Sequence, residues 1–215
     1  MILTLLNIKG GVGKTTLAFL LSVAMARRGR DILLLDTDPQ GSASDSCAIR
    51  LSNKLTPEIS CVSLCRRDIS QEVRRLSRRY QDIVIDVGGR DSPALRSSLV
   101  VADKAIIPIL PAQFDAWALE EVEDLIRQAR GFNSRLKALV VINKADTNPA
   151  MKFCDALAEH ASSLEELDLV RARLGYRVAY RRAPAEGKGL DEISPKDPLA
   201  LAEFHGFYEE VVDVE

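Results

Sequence analysis

Met1-Ile2-Leu3-Thr4-Leu5-Leu6-Asn7-Ile8-Lys9-Gly10-Gly11-Val12-Gly13-Lys14-Thr15-Thr16 decides the fold. An apolar run too short for a helix gives way to a glycine-rich turn. A helical stripe of Leu17, Leu20, Leu21, Ala24 and Met25 follows. A strand, a tight loop and a helix in that order make half of a βαβ unit. Glycines let backbone N–H groups converge on phosphate oxygens, because no Cβ blocks the approach, and the helix that follows adds its positive end. In such a loop Lys14 reaches the β- and γ-phosphates and the Thr15 hydroxyl ligates Mg²⁺. Gly10, Gly11, Val12, Gly13, Lys14, Thr15 and Thr16 are therefore the expected nucleotide-binding residues.

Four further apolar runs repeat the strand pattern at Ile32–Leu35, Ile83–Ile85, Ala105–Leu110 and Ala138–Ile142. Continuous rather than alternating apolar residues suit strands buried on both faces of a parallel sheet. Helical stripes lie between them, at Ile69, Val73, Leu76 and Tyr80 and at Leu119, Val122 and Ile126. Further helices are expected at about 150–163 and 197–212. The expectation is a single α/β domain over residues 1–215, with a doubly wound, mostly parallel sheet and helices on both faces. The strands end in Lys9-Gly10-Gly11, Asp36, Asp86 and Asn143-Lys144. Such sheets bind ligands at the carboxyl ends of their strands, so these residues describe one site.

The 215 residues are 47% hydrophobic and 28% charged, which excludes a disordered chain. A net charge of -2 excludes a uniformly basic nucleic-acid binder, and 5% aromatics disfavour a stacking platform for single strands. Cys47, Cys61, Cys65 and Cys154 form no C-x-x-C pair and read as reduced thiols. Met1–Leu6 carries no charged n-region or cleavage site, so no signal peptide is expected, and no apolar run is long enough to span a membrane.

The loop departs from G-x-x-x-x-G-K-[ST], having Ile8 where the pattern needs glycine and an extra lysine, Lys9, next to it. This arrangement resembles the deviant Walker A loop of the ParA/MinD family of ATPases. Asp36-Thr37-Asp38-Pro39-Gln40 is similar to that family's D-x-D-P-Q switch, Ile83–Asp86 to its Walker B strand, and Val87–Asp91 to its second switch. Ile107–Pro111 with Asp115 resembles its proline-bracketed strand end. The resemblance implies ATP and Mg²⁺ as cofactors, with Lys9, Lys14 and Asp38 catalytic. Lys9 reaches the phosphates of a partner across a nucleotide-sandwich homodimer, and Asp38 orients the attacking water. Thr15, Asp36 and Asp86 hold or support the metal, and Asn143 contacts adenine. Asn143-Lys144-Ala145-Asp146 also matches the guanine-reading N-K-x-D, which leaves GTP as the alternative nucleotide.

The resemblance further implies non-specific DNA binding by the ATP dimer and a separate, ParB-like adaptor that stimulates hydrolysis. It implies a cytoplasmic, nucleoid-associated protein that segregates or positions DNA or another cargo. Two basic clusters could meet phosphates. Arg66, Arg67, Arg74, Arg75, Arg78 and Arg79 form one, with Arg74/Arg78 and Arg75/Arg79 expected at i,i+4 on a helix. Arg171, Arg173, Arg177, Arg181, Arg182 and Lys188 form the other, which by position is the better DNA candidate. The chain begins at the first strand, so no helix-turn-helix is expected before it. A MinD-like membrane switch or a metabolic P-loop enzyme is the alternative function. Leu199, Leu201, Phe204, Phe207, Tyr208 and Val211 make an apolar stripe near the C-terminus, but its polar side is acidic, so anionic lipid would repel it and packing is expected.

Overall fold

The computed structural model describes residues 1–111, 113–146 and 153–213, and of residues 113–117 and 153 only the backbone. Asp115's side chain and residues 150–152 of the expected sixth helix therefore lie outside the described residues. Seven parallel strands form one sheet: β1 (Ile2–Leu5), β2 (Ile32–Asp36), β3 (Ser60–Ser63), β4 (Asp82–Asp86), β5 (Lys104–Ile109), β6 (Lys137–Ile142) and β7 (Asp168–Leu169). Their order is β3-β2-β4-β1-β5-β6-β7. The helices are α1 (Lys14–Arg27), α2 (Ser42–Ser52), α3 (Ser70–Leu76), α4 (Pro93–Leu99), α5 (Gln113–Arg130), α6 (Phe153–Ser163), α7 (Val178–Ala185) and α8 (Pro198–Tyr208), the last running into a π-helical turn at Glu209–Asp213.

The continuous apolar runs have the cause inferred from sequence. Leu34, Val84 and Ile106 point into a core shared with α1, α7 and α8. Their neighbours Leu33, Leu35, Ile83, Ile85 and Ile107 point into a second core under α5 and α6. Every central strand is covered twice. Phe204, Phe207, Tyr208 and Val211 join the first core, so the C-terminal stripe packs inward, while Leu199 stays 60% exposed. Among the described residues no helix is long and apolar enough to cross a membrane.

Two strands and three helices escape the sequence reading. β3 and β7 are edge strands of four and two residues, and α2, α4 and α7 carry no clean stripe. The helix expected through Tyr80 stops at Leu76. Arg78 and Arg79 bond back only three residues, to Arg75 and Leu76, in a turn that leads down into β4. Arg74/Arg78 and Arg75/Arg79 are therefore not i,i+4 pairs on one helix.

A buried guanidinium clasps the first core. Arg50, on α2 and 1% exposed, donates to the carbonyls of Pro57 (2.9 Å) and Gly187 (3.0 Å) and pairs with Glu192 at 2.7 Å. Arg27 of α1 reaches Asp191 and Glu192. Together they seal the 186–192 segment over α1 and α2. A Cβ on Gly187 would lie 2.4 Å from the Arg50 backbone nitrogen, so only glycine admits this approach.

Candidate functional site

Register brings the site together. Asp36 pairs with Asp86 across β2 and β4, and Leu5 pairs with Asp86 across β1 and β4. The ends of three adjacent strands thus sit level, with the Lys9–Gly13 loop rising from one of them. Buried Asn7 fixes the start of the loop. Its side-chain amide donates to the Pro108 carbonyl (2.8 Å), and its Oδ1 accepts from the Lys9 N–H (2.9 Å).

The far side of the loop is tied to the end of β6. Asn143 Nδ2 donates to the Val12 carbonyl and Lys144 Nζ to the Gly11 carbonyl, each at 2.7 Å. Gly13 caps α1 in the left-handed region with φ 100°, and no side chain caps the helix. A Cβ there would meet Asn143 Nδ2 at 2.3 Å. The first N–H groups of α1 thus have no intrahelical partner, which makes an anion site. Lys14 is buried, and its Nζ donates to the Lys9 carbonyl at 2.9 Å. Burial pulls its pKa below the ordinary lysine value, against the opposing pull of Asp86 and Asp38.

The carboxylates differ in what they do. Asp36 is fully buried and organises the turn after β2. It accepts from the Asp38 N–H (3.2 Å), the Ser44 N–H (2.9 Å) and the Ser44 hydroxyl (2.8 Å). Asp38 is half-buried at the lip, accepts from the Gln40 N–H (3.0 Å) and faces Gly88. Gly89 lies against the loop, where a Cβ would come within 3.1 Å of Gly10 and Lys9. The first and second switches therefore touch each other and the loop.

Asp86 is the anomaly. It is 1% exposed, and among the described residues neither of its carboxylate oxygens has a hydrogen-bond partner. Burial pushes its pKa up to about 7, resisted by the neighbouring Thr15 hydroxyl and Lys14 ammonium and reinforced by Asp36 and Asp38. A buried carboxylate without partners is costly unless a cation supplies the missing charge. One carboxylate beside one hydroxyl is the hard oxygen donor set that Mg²⁺ takes while keeping most of its waters. Asp86 and Thr15 therefore fit a magnesium ion directly, with Asp36 behind them.

Beyond Thr16, a small recess is lined by Gly13, Asn143, Lys144, Tyr176 and Arg181. Tyr176 is 58% exposed, and the Arg181 guanidinium lies 5.4 Å from its ring centre. Arg177 also borders this recess. It is held bidentately by Glu203, which accepts from the Gly175 N–H as well. Arg177 and Arg181 thus stand beside the phosphate loop. Asp146, the last residue of the N-K-x-D match, is exposed.

The two basic clusters are unequal. In the 171–188 set, Arg173 pairs with Asp155, Arg177 with Glu203, and both Arg182 and Lys188 with Glu186. Arg171 and Arg181 are exposed and have no ion pair among the described residues. In the 66–79 set all six arginines are exposed, and among the described residues only Arg75 meets a carboxylate, Glu72 at 3.3 Å.

Ser44 and Tyr176 were not singled out as site residues by sequence. Both act through contacts across a turn or between segments distant in the chain, and no motif marks them. Thr37, inside the D-x-D-P-Q stretch, donates both its N–H and its hydroxyl to the Asp86 carbonyl.

The family model described as the CobQ/CobB/MinD/ParA nucleotide binding domain matches residues 3–190. The chain belongs to that family. Within the family, it is 27% identical over 213 residues to the "Maintenance of carboxysome distribution protein A" of Halothiobacillus neapolitanus, covering 98% of this chain and 95% of that one. It is 26% identical to the "Chromosome-partitioning ATPase Soj" of Thermus thermophilus, covering 93% of this chain and 91% of that one. The fold matches a putative plasmid partition protein of Borrelia burgdorferi bound to AMPPNP, with a TM-score of 0.74 at 18% identity, covering 98% and 99% of the two chains. It also matches the septum site-determining protein MinD of Pyrococcus horikoshii complexed with Mg-ADP, with a TM-score of 0.76 at 19% identity, covering 98% and 95%.

Proposed function

We propose that this chain, acting as a single domain, is a Mg²⁺-dependent ATPase that closes into an ATP-bound homodimer and positions DNA or a protein cargo. The observation that carries the reading is the pair of partnerless, buried Asp86 oxygens beside Thr15 and Lys14, under an uncapped α1. The loop N–H groups of Gly10–Thr16 bind the phosphates. Lys14 exchanges the Lys9 carbonyl for β- and γ-phosphate oxygens. Asp86 and Thr15 hold Mg²⁺, which when bound neutralises charge on the phosphates. Asp38 orients the attacking water, with Asp36 fixing the turn that carries it. Asn143 and the Tyr176 recess receive the base. Relatives and fold neighbours that carry out partition or hold adenine nucleotides support ATP over GTP.

Lys9 stands in the loop where a partner's phosphates would meet it. DNA would bind electrostatically and independently of sequence. Arg171 and Arg181 are the members of the 171–188 cluster disposed for it. The less neutralised Arg66–Arg79 face is the second candidate surface. A separate adaptor would stimulate release.

The test measures ATP hydrolysis, dimer formation and binding to random duplex DNA, with ATP, GTP or no nucleotide. We expect ATP-dependent, salt-sensitive DNA binding that Lys9→Ala abolishes together with the dimer. Charge reversal at Arg171 and Arg181, compared with reversal at Arg74 and Arg78, identifies the surface. DNA binding indifferent to nucleotide, or a GTP-only response, would overturn the reading.

A further inference from the structure

A cavity of about 510 Å³ opens between α2 and β3, away from the phosphate loop. Ser44, Cys47, Leu51, Ile59 and Cys61 are among its walls. Cys47 is buried on α2, and Cys61 is half-buried on the edge strand. Cys61 Sγ lies 3.9 Å from Ser44 Oγ, whose own proton goes to Asp36 at 2.8 Å. A hydroxyl has one proton to give, so Cys61 must be the donor to Ser44. Cys47 follows Ser44 by three residues on α2, on the same face of the helix, and both thiols line the one cavity. Cys61, Ser44 and Asp36 thus form one line of contacts from the cavity to the nucleotide site, with Cys47 beside it. The nucleotide chemistry gives neither thiol a role.

We propose that Cys47 and Cys61 form a peroxide-reactive dithiol site whose oxidation closes a disulfide between α2 and β3. Cys61, the more accessible sulfur, attacks one peroxide oxygen. The O–O bond breaks, Cys61 becomes a sulfenic acid, and the other oxygen leaves as water with the thiol proton. Cys47 then attacks the Cys61 sulfur, the S–O bond breaks, and a second water leaves. Two thiols lose two electrons and two protons, and one peroxide becomes two waters. The neighbouring Cys61, with burial adding, raises the Cys47 pKa, and the neighbouring Cys47 lowers that of Cys61, which favours this order of attack. The disulfide removes the S–H that Ser44 accepts and fixes α2, which follows directly from the Asp36–Gly41 turn.

The experiment uses the full chain with Cys65→Ser and Cys154→Ser, treated with graded hydrogen peroxide and then alkylated. Trypsin separates residues 31–50, carrying Cys47, from residues 55–66, carrying Cys61. We expect both thiols to disappear together and the two peptides to be recovered as a cross-link that dithiothreitol reverses. Cys47→Ser should stop at a Cys61 sulfenic acid that dimedone traps. Should the double serine background fail to fold, the cross-link is mapped in the unaltered chain. Two thiols still open to alkylation at a dose that, in the unaltered chain, oxidises exposed Cys65 would overturn the proposal, as would Cys61 sulfinic acid with Cys47 untouched. Turnover should fall at least threefold on cross-linking and recover on reduction. Unchanged turnover of fully cross-linked protein would overturn the coupling to Asp36. That arm rests on the proposed ATPase, whereas the cross-link arm stands without it.

Discussion

Replacing Asp86 by asparagine should stabilise the nucleotide-free protein, and the gain should grow with pH. Asp86 has an ordinary carboxyl pKa of 3.8 in the unfolded chain and about 7 in the fold, because burial disfavours its charge. A raised acid pKa means that the folded state holds the proton longer than the unfolded state does. Stability is therefore lost as pH rises from about 4 to about 7, and the loss is constant above that. Three pH units at about 1.4 kcal/mol each make the full penalty about 4 kcal/mol at pH 8, and about 1–2 kcal/mol at pH 5. Asparagine never charges and escapes both. Urea unfolding in EDTA, across that pH range, should show the advantage of Asp86→Asn over the parent widening by about 2–3 kcal/mol. Mg²⁺ with ATP should rescue the parent and leave the variant unmoved. Parallel pH profiles for the two proteins would refute the claim that Asp86 is a buried charge awaiting a cation.

Lys14→Ala should reduce ATP affinity at least a hundredfold by equilibrium binding, because it removes the one buried ammonium under the loop. Asp38→Ala should keep ATP binding and lower turnover at least tenfold, which trapped dimers in size-exclusion chromatography would show. Gly13→Ala should lower nucleotide affinity more than tenfold, since φ 100° is strained for alanine and the new methyl strikes the Asn143 amide. Arg50→Met should cost about 3 kcal/mol in urea unfolding, since it takes the guanidinium away from Glu192 and from the Pro57 and Gly187 carbonyls.

The central sheet was readable because its strands are buried on both faces and so consist of uninterrupted Ile, Leu and Val. β3 was not, because Ser60–Ser63 is an edge strand with one neighbour and three exposed residues. The phosphate loop was readable because its chemistry is local, with glycines, lysine and threonine in consecutive positions. Asp86 was placed correctly at its strand end, yet its lack of partners is a property of the packed interior. The opposite error of scale befell Cys47 and Cys61. Their spacing matches no thiol motif, but parallel pairing at Leu34 and Cys61 places β3 at the sheet edge beside β2, and Cys47 and Cys61 come to line one cavity. Position likewise favoured residues 171–188, where Glu186 within the cluster and Asp155 and Glu203 from elsewhere answer the arginines.

The Arg50 clasp makes the end of the chain part of the switch machinery. α2 starts just after Asp38 and carries Arg50 eight residues further on, locked to Gly187 and Glu192. If α2 shifts when Asp38 meets a phosphate, the guanidinium must either draw the 186–192 segment along or strand its own charge in the core. The second course costs too much, so the movement is shared. That segment leads straight back to α7, where Arg181 stands beside the base recess and Arg182 beside solvent. On the proposed function, the phosphate end and the base end of the site thus belong to one lever, whose fulcrum is a single buried arginine.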